Sequence, residues 1–274
     1  MKHLILIFAA STLALCAGPY SGGTGGGSAI DEGVAAFVGD AVNPIFVGWA
    51  TGVVDYSPAN AQLIDSEWKN PGMALGPPSR VDTEYDIVSL GELGATDIAN
   101  GVAPGSITLH FDTGISNGAG ADFVVFENAF ESSWVAGMVL MELAYVEVSS
   151  DGINFVRFPS ISTNGSRPDD YAYWTSDLQA QIYGARDPTN VHNLAGKHVN
   201  VEDENWGTPF DLSDLINESL VIDGTVDLDN ISYVRIVDIP GSGDFKDSQG
   251  NSIYDGWTTT GSGGFDLSGV GVIY

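Results

Sequence analysis

The densest set of oxygen ligands in the chain is the stretch DIPGSGDFKDSQGNSIYDGW, which places Asp238, Asp244, Asp247, Asn251 and Asp255 in one Gly-rich segment before Trp257. Carboxylates crowded in this way repel one another. A hard divalent cation relieves the repulsion, because Ca2+ is coordinated by clustered oxygens from Asp, Glu, Asn and backbone carbonyls. The spacing is not that of an EF-hand, since Asp244, Asp247 and Gly250 do not fall on the D-x-[DN]-x-[DN]-G pattern. The expectation is calcium somewhere within residues 238–266, with its geometry open; the alternative is a solvated acidic loop whose Asp and Asn residues serve only as turn formers.

A second set lies in DFVVFENAFE, where Asp122, Glu127, Asn128 and Glu131 flank or follow an apolar run. If Phe126 is in the core, Glu127 points away from it or sits at the strand end, as a metal ligand, a general acid or a polar group satisfied by backbone. Glu127 and Glu131 can in principle form a glycosidase dyad, with their separation deciding between inversion and retention. Histidine adds little: at His110, His192 and His198 neither an HExxH nor a short-spaced pair with a carboxylate marks a transition-metal site. There is no G-x-S-x-G, and GSGGF at 261–265 reads as a turn. The glycine clusters do not sit between a strand and a helix, so neither a P-loop nor a dinucleotide fingerprint is present.

Aromatic residues form a third group. Trp134, Tyr171, Tyr173, Trp174, Trp206 and Trp257 fall in segments that read as loops. Aromatic rings beside acids and amides suit a sugar-binding surface, where the ring stacks on C–H faces and polar groups take the hydroxyls. They serve equally as plugs over the ends of a large loop-rich core.

The elements that must position these residues are those of an all-β protein. Glycines (35) and prolines (12) punctuate short apolar runs, and helical periodicity is nearly absent. SITLHFD alternates, with Ile107, Leu109 and Phe111 on one face and Thr108, His110 and Asp112 on the other. The unbroken run Phe123 to Phe126 predicts a strand buried on both faces. LAYVEVSSDGINFVRFP predicts a hairpin around Asp151-Gly152, and NISYVRIVDI and VGVIY predict two late strands. PFDLSDLIN is the best helix signal, with Asp211 as its N-cap. With no internal repeat, one β-sandwich of jelly-roll type, with long loops and a few short helices, is the economical architecture.

With 36 Asp+Glu against 9 Lys+Arg, the chain has a formal charge of -27. So few cations make it a poor partner for nucleic acid or for anionic membrane surfaces. The 43% hydrophobic content sets it apart from a disordered acidic tail. After Met1, Lys2 and His3 the run LILIFAASTLAL fits a secretory h-region too short to span a bilayer, so residues 1–17 read as a signal peptide. Two processing routes stay open: cleavage before Gly18, or a degenerate lipobox with a lipid anchor at Cys16. Either route leaves the mature chain exported: secreted, periplasmic or at the cell surface. Cys16 is the single cysteine, which excludes an intramolecular disulfide. Residues 18–28 read as a flexible Gly/Ser-rich leader, and residues 29–274 as one domain.

The stretches VSLGELG (88–94), SITLHFDTGISNGAGADFVVFENAF (106–130), AYVEVSSDGINFVRFPSIS (144–162), NLAGKH (193–198), GTPFDLSDL (207–215), VRIVDI (234–239) and GSGGFDLSGVGVI (261–273) resemble a family of exported bacterial cell-surface domains. Some members carry a C-terminal PEP-CTERM sorting signal; here a strand-like run leads into Tyr274, so attachment through such a signal is not expected. More distantly, the hairpin VEVSSDGINFVRF is similar to that of discoidin-like and galactose-binding-like jelly rolls, and FDLSGVGV to the last strand of carbohydrate-binding modules. That resemblance implies a structural Ca2+ held in part by the Asp of the last strand, which is Asp266 here. The functional expectation is a non-catalytic, calcium-stabilised cell-surface domain that binds a glycan or another extracellular ligand. The alternatives are a carbohydrate-active hydrolase using a Glu/Asp pair and a purely structural surface-layer component.

Overall fold

The computed structural model describes residues 33–80, 86–132, 136–165, 185–201, 204–259 and 261–274. Two antiparallel sheets carry the fold. Their strands in chain order are β1 Val34–Ala35, β2 Gly48–Trp49, β3 Gly52–Ser57, β4 Val88–Ser89, β5 Ser106–Ile115, β6 Phe123–Glu127, β7 Ala144–Ser149, β8 Val156–Arg157, β9 Trp206–Phe210, β10 Ile231–Asp238 and β11 Asp266–Val272. One sheet has the order β1-β9-β6-β11-β2, with β4 also paired to β11; the other runs β8-β7-β10-β5-β3. The expected all-β sandwich is what the chain forms.

The core follows from the period-2 patterning. Ile107, Leu109 and Phe111 of β5, Val146 and Val148 of β7, and Val234 and Ile236 of β10 pack against Phe123 and Val125 of β6, Phe210 of β9, and Leu267, Val270 and Val272 of β11. On β11 the inward positions change parity between Leu267 and Val270, because the register with β6 shifts between Leu267 and Gly269. All five residues of β6 are buried. Phe123 and Val125 face the main core, while Val124 and Phe126 join a second cluster with Phe46 and Trp49 on the other side of the sheet. That two-sided burial is why the run shows no alternation.

The hairpin at Asp151-Gly152 forms as expected. Glu147 pairs with Arg157 and Val148 with Val156, and Gly152 has a φ of 73° that disfavours a side chain. Asp151 ties the turn by accepting hydrogen bonds from the Ile153 and Asn154 amides, each 2.8 Å. Behind the turn Glu147 accepts from Arg157 at 2.8 Å and Arg235 at 2.5 Å. Asp211 caps as predicted, accepting from the Ser213 amide at 2.8 Å. The turn it caps is a short 3-10 segment, Leu212–Leu215, because Pro209 and Phe210 are taken into β9. Among the described residues no helix is long and apolar enough to cross a membrane.

A third apolar cluster, including Ala129, Met141, Leu143, Ile239 and Ile253, sits beyond one end of the sandwich. The antiparallel pairing defines that end. It brings together the C-terminal ends of β6 and β10 with the N-terminal ends of β7 and β11, as the pairs Leu267 with Glu127, Asp266 with Ser89, and Ala144 with Asp238 show.

Candidate functional site

Acids collect at that end, and each adjoins an apolar neighbour that holds it inside. Glu127 follows Phe126 at the end of β6, Asp238 closes β10 before Ile239, and Asp266 opens β11 between Phe265 and Leu267. Glu142 lies between Met141 and Leu143 just before β7, Glu92 precedes Leu93 in the segment after β4, and Asp255 follows Tyr254, two residues past the buried Ile253. Glu127, Asp238, Asp255 and Asp266 are all 2% exposed or less, whereas Glu92 and Glu142 keep part of their surface.

Backbone amides orient several of them. Asp238 Oδ1 accepts from the Phe265 amide at 2.8 Å, Asp255 Oδ2 from Leu143 at 2.8 Å, Glu127 Oε2 from Ala129 at 2.6 Å and Glu92 Oε1 from Leu93 at 3.0 Å. Asp266 Oδ2 accepts a long bond from the Asn128 amide at 3.4 Å. Asp238 Oδ2 and Asp266 Oδ1 are buried with no hydrogen-bond partner. Two such oxygens in one place are costly, because a buried acceptor gives up water and receives nothing in return.

The electrostatics show that these acids share one field. Burial pushes Glu92 well above the usual carboxylate range, and Asp238 and then Asp255 push it further. Burial and then Asp266 do the same to Glu127, which Asp255 raises further. Glu142 is raised first by burial, then by Asp266, Glu127 and Glu92, against a hydrogen bond from the Thr259 side chain. Asp266 is raised by burial, against hydrogen bonds from the Ser262, Asn128 and Ser89 side chains, and Asp238 raises it further; Asp238 is pushed up to about 7 by burial, against the Phe265 and Ile239 amides. None of the groups acting most strongly on these five acids is a cation. As the side chains stand, no group of three or more His, Cys, Asp or Glu among the described residues could hold a metal ion. The acids therefore act on one another through the field, without oxygens drawn onto one point.

The late loop expected to hold a cation divides in two. Asp238, Asp255 and Asp266 join the cluster. Asp244 is exposed and pairs with the Ser242 hydroxyl at 2.9 Å. Asp247 organises its own turn, accepting from the Ser162 amide at 2.9 Å and from the Asn251 amide and side chain at 2.8 and 2.9 Å. Burial tends to raise Asp247, but these bonds outweigh it and hold the carboxyl below its usual range. Residues 244–251 thus follow the turn-former alternative, with Asp247 and Asn251 spent on each other.

In the second acidic set, Asp122 is buried and accepts from the Gly118 and Leu212 amides at 2.6 and 2.7 Å. Glu127 lies in the cluster with Asn128 beside it, whereas Glu131 is exposed and accepts from the Gly137 amide at 3.3 Å. Among the aromatic residues, Trp206 donates to Glu204 at 2.6 Å and Trp257 to the Leu93 carbonyl at 2.8 Å, beside Glu92. Trp134, Tyr171, Tyr173 and Trp174 lie outside the described residues, as do Cys16 and the expected signal peptide and leader.

Sequence reasoning missed Glu92 and Glu142. The signal that marks them is a lone acid inside an apolar run, LGELG and LMELA. The same pattern marks Glu127 in VVFENAF. Beside the cluster a cleft of about 180 Å³ opens to the surface, lined by Asn60, Leu63, Ile64, Glu92, Asp97 and Thr259 among others. The chain matches no protein-family model and no curated protein.

Proposed function

We propose that this protein is a non-catalytic, exported cell-surface domain that holds Ca2+ among Glu92, Glu127, Glu142, Asp238, Asp255 and Asp266 and uses its loops to bind a glycan or another extracellular ligand. One observation carries the cation: carboxylates from six separate segments are gathered at one end of a hydrophobic sandwich, and Asp238 and Asp266 each turn a buried, unpartnered oxygen there. Burying several like charges is too costly to persist without protons or a cation between them. A donor set made only of oxygens suits Ca2+ and gives a softer metal no imidazole or thiolate. Binding would rotate the carboxylates inward from their present positions. The likeness of FDLSGVGV to the last strand of carbohydrate-binding modules, with Asp266 as the matching acid, supports the same reading.

The test is thermal unfolding of the mature chain with chelator and with added Ca2+. A ligand at about one hundred times its Kd stabilises a fold by about 2.7 kcal/mol, or about 5–10 °C in Tm for a domain of this size. The proposal expects a fall of that order on chelation and recovery on adding Ca2+. An unchanged melting curve, with elemental analysis confirming metal-free protein, would overturn it.

A further inference from the structure

The outer face of the second sheet carries a charge arrangement opposite to that of the chain as a whole. On β7 the outward positions are Tyr145, Glu147 and Ser149, because Val146 and Val148 point into the core. Antiparallel register sets Arg157 of β8 and Arg235 of β10 on either side of Glu147. Both guanidiniums clamp that one carboxylate side-on. Nε and Nη2 of Arg157 each lie 2.8 Å from Oε1, and Nε and Nη2 of Arg235 each lie 2.5 Å from Oε2. Two cations against one anion leave a positive charge over, on a chain whose total is -27.

Each guanidinium is also held on a ring. Arg157 lies over Tyr145 at 4.0 Å from the ring centre, and Arg235 over Phe155 at 3.9 Å. The side-on clamp uses Nε and one Nη2 hydrogen of each arginine, and the end-on edge formed by Nη1 and Nη2 meets no acceptor among the described residues. The two arginine side chains stay 46% and 35% exposed, whereas that of Glu147 is 8% exposed. Glu147 and the rings thus fix two bidentate forks toward solvent, with little rotamer freedom left for a ligand to freeze. Beside Arg235 on the same side of β10, the half-buried Tyr233 packs against His110, ring centres 5.2 Å apart, and over Gly152. Asp55, opposite Thr108, and Asp112, 3.3 Å from His110, bound the face toward β3, which leaves the Arg157 and Arg235 side for an anion.

We propose that this face binds an acidic glycan, the carboxylate of a uronic acid unit meeting the end-on forks of Arg157 and Arg235 while its ring stacks on Tyr233. A planar carboxylate matches a guanidinium fork as a lone hydroxyl does not. The aromatic ring beside it takes the C–H face of the sugar. Repulsion from the other acids is screened beyond about 8 Å at physiological ionic strength, so the local donors decide whether the anion is held. The inference rests on the glycan reading, which it moves from the loops to a strand face and narrows to a charged sugar; it uses no cation.

The experiment is calorimetric titration of the mature chain with trigalacturonate and with its methyl ester, in chelator and about 0.15 M NaCl. The acid should bind, and the ester, which keeps the rings and loses the charge, should bind at least about tenfold more weakly. Arg157→Lys and Arg235→Lys leave Glu147 paired with a cation but remove a fork, and each should weaken the acid by a similar factor. Tyr233→Leu should weaken it by about threefold or more through the lost ring. The ester comparison needs no variant, so the test holds even where a substitution destabilises the fold. Equal binding of acid and ester would overturn the charge readout and leave the glycan reading standing. Acid binding undiminished in both lysine variants, or seen only on adding Ca2+, would overturn the assignment to this face. Tetra-aspartate bound as tightly as trigalacturonate would overturn the sugar in favour of an acidic peptide. Absence of any binding to trigalacturonate would overturn this inference alone; the glycan reading falls only if neutral oligosaccharides fail as well.

Discussion

Asp238 and Asp266 each commit one carboxylate oxygen to a hydrogen bond and leave the other buried and unpartnered. On the calcium reading, a residue in that position affects stability with opposite signs with and without the cation. Without metal, Asp266 adds to the repulsion on Glu127 and Glu142, so Asp266→Asn should stabilise the chelated protein by about 1 kcal/mol. The same change should remove most of the Ca2+-induced rise in Tm. A variant destabilised equally in chelator and in Ca2+ would show Asp266 to be ordinary packing. Asp122 offers a separate residue-scale test away from the cluster. Burial pushes it up to about 6, against its bonds from Leu212 and Gly118. A folded value above the unfolded one means that the folded state holds the proton more tightly. The stability contribution is then full below about pH 4 and is lost as pH rises through about 6. The stability difference between the protein and Asp122→Asn, followed by urea unfolding from pH 4 to 7, should shift against the protein with rising pH. A flat difference would show that the two amide bonds hold Asp122 ionised throughout.

Among the elements, the turn entering β11 decides whether the cluster can form. Gly264 has a φ of 71°, and a Cβ there would lie 2.5 Å from the Gly91 carbonyl and 3.0 Å from Asp238 Oδ1. The glycine lets the 261–265 turn approach closely enough for the Phe265 amide to reach Asp238. Gly264→Ala should cost about 1–3 kcal/mol through the strained backbone alone. It should also weaken Ca2+ affinity by displacing Asp238 and Asp266 together, which calorimetric titration would read. Loss of stability with Ca2+ affinity intact would separate this turn from the site. Much at this scale was legible beforehand. The β5 alternation, the two-sided burial of β6 and the turn at Asp151-Gly152 all follow from local patterns, because side-chain period and turn chemistry act over a few residues. The helix at PFDLSDLIN was only partly legible: its cap at Asp211 is local, but pairing of Pro209 and Phe210 with β6 shortened it to one turn.

Across the whole molecule, a charge of -27 concentrates part of its cost at one end of the sandwich. Self-repulsion in the chelated protein should be relieved by screening, so raising NaCl from about 0.01 to 0.15 M, which shortens the Debye length from ~30 to ~8 Å, should raise its Tm. Buried charges are screened less, so on the calcium reading salt should recover only part of what added Ca2+ would. Equal recovery by NaCl and Ca2+, seen by scanning calorimetry, would place the charge cost on the surface. The sequence alone determined the all-β class, the inward faces of the strands and the membership of Asp238, Asp255 and Asp266 in a late acidic stretch. Only the tertiary structure decided that Asp244, Asp247 and Asn251 stay out, and that Glu92, Glu127 and Glu142 come in from up to 174 residues away, the distance from Glu92 to Asp266 in the chain. The physical reason is range. Patterns of burial and turning are set by near neighbours, whereas a cluster of acids exists only where antiparallel pairing aligns the ends of strands far apart in sequence.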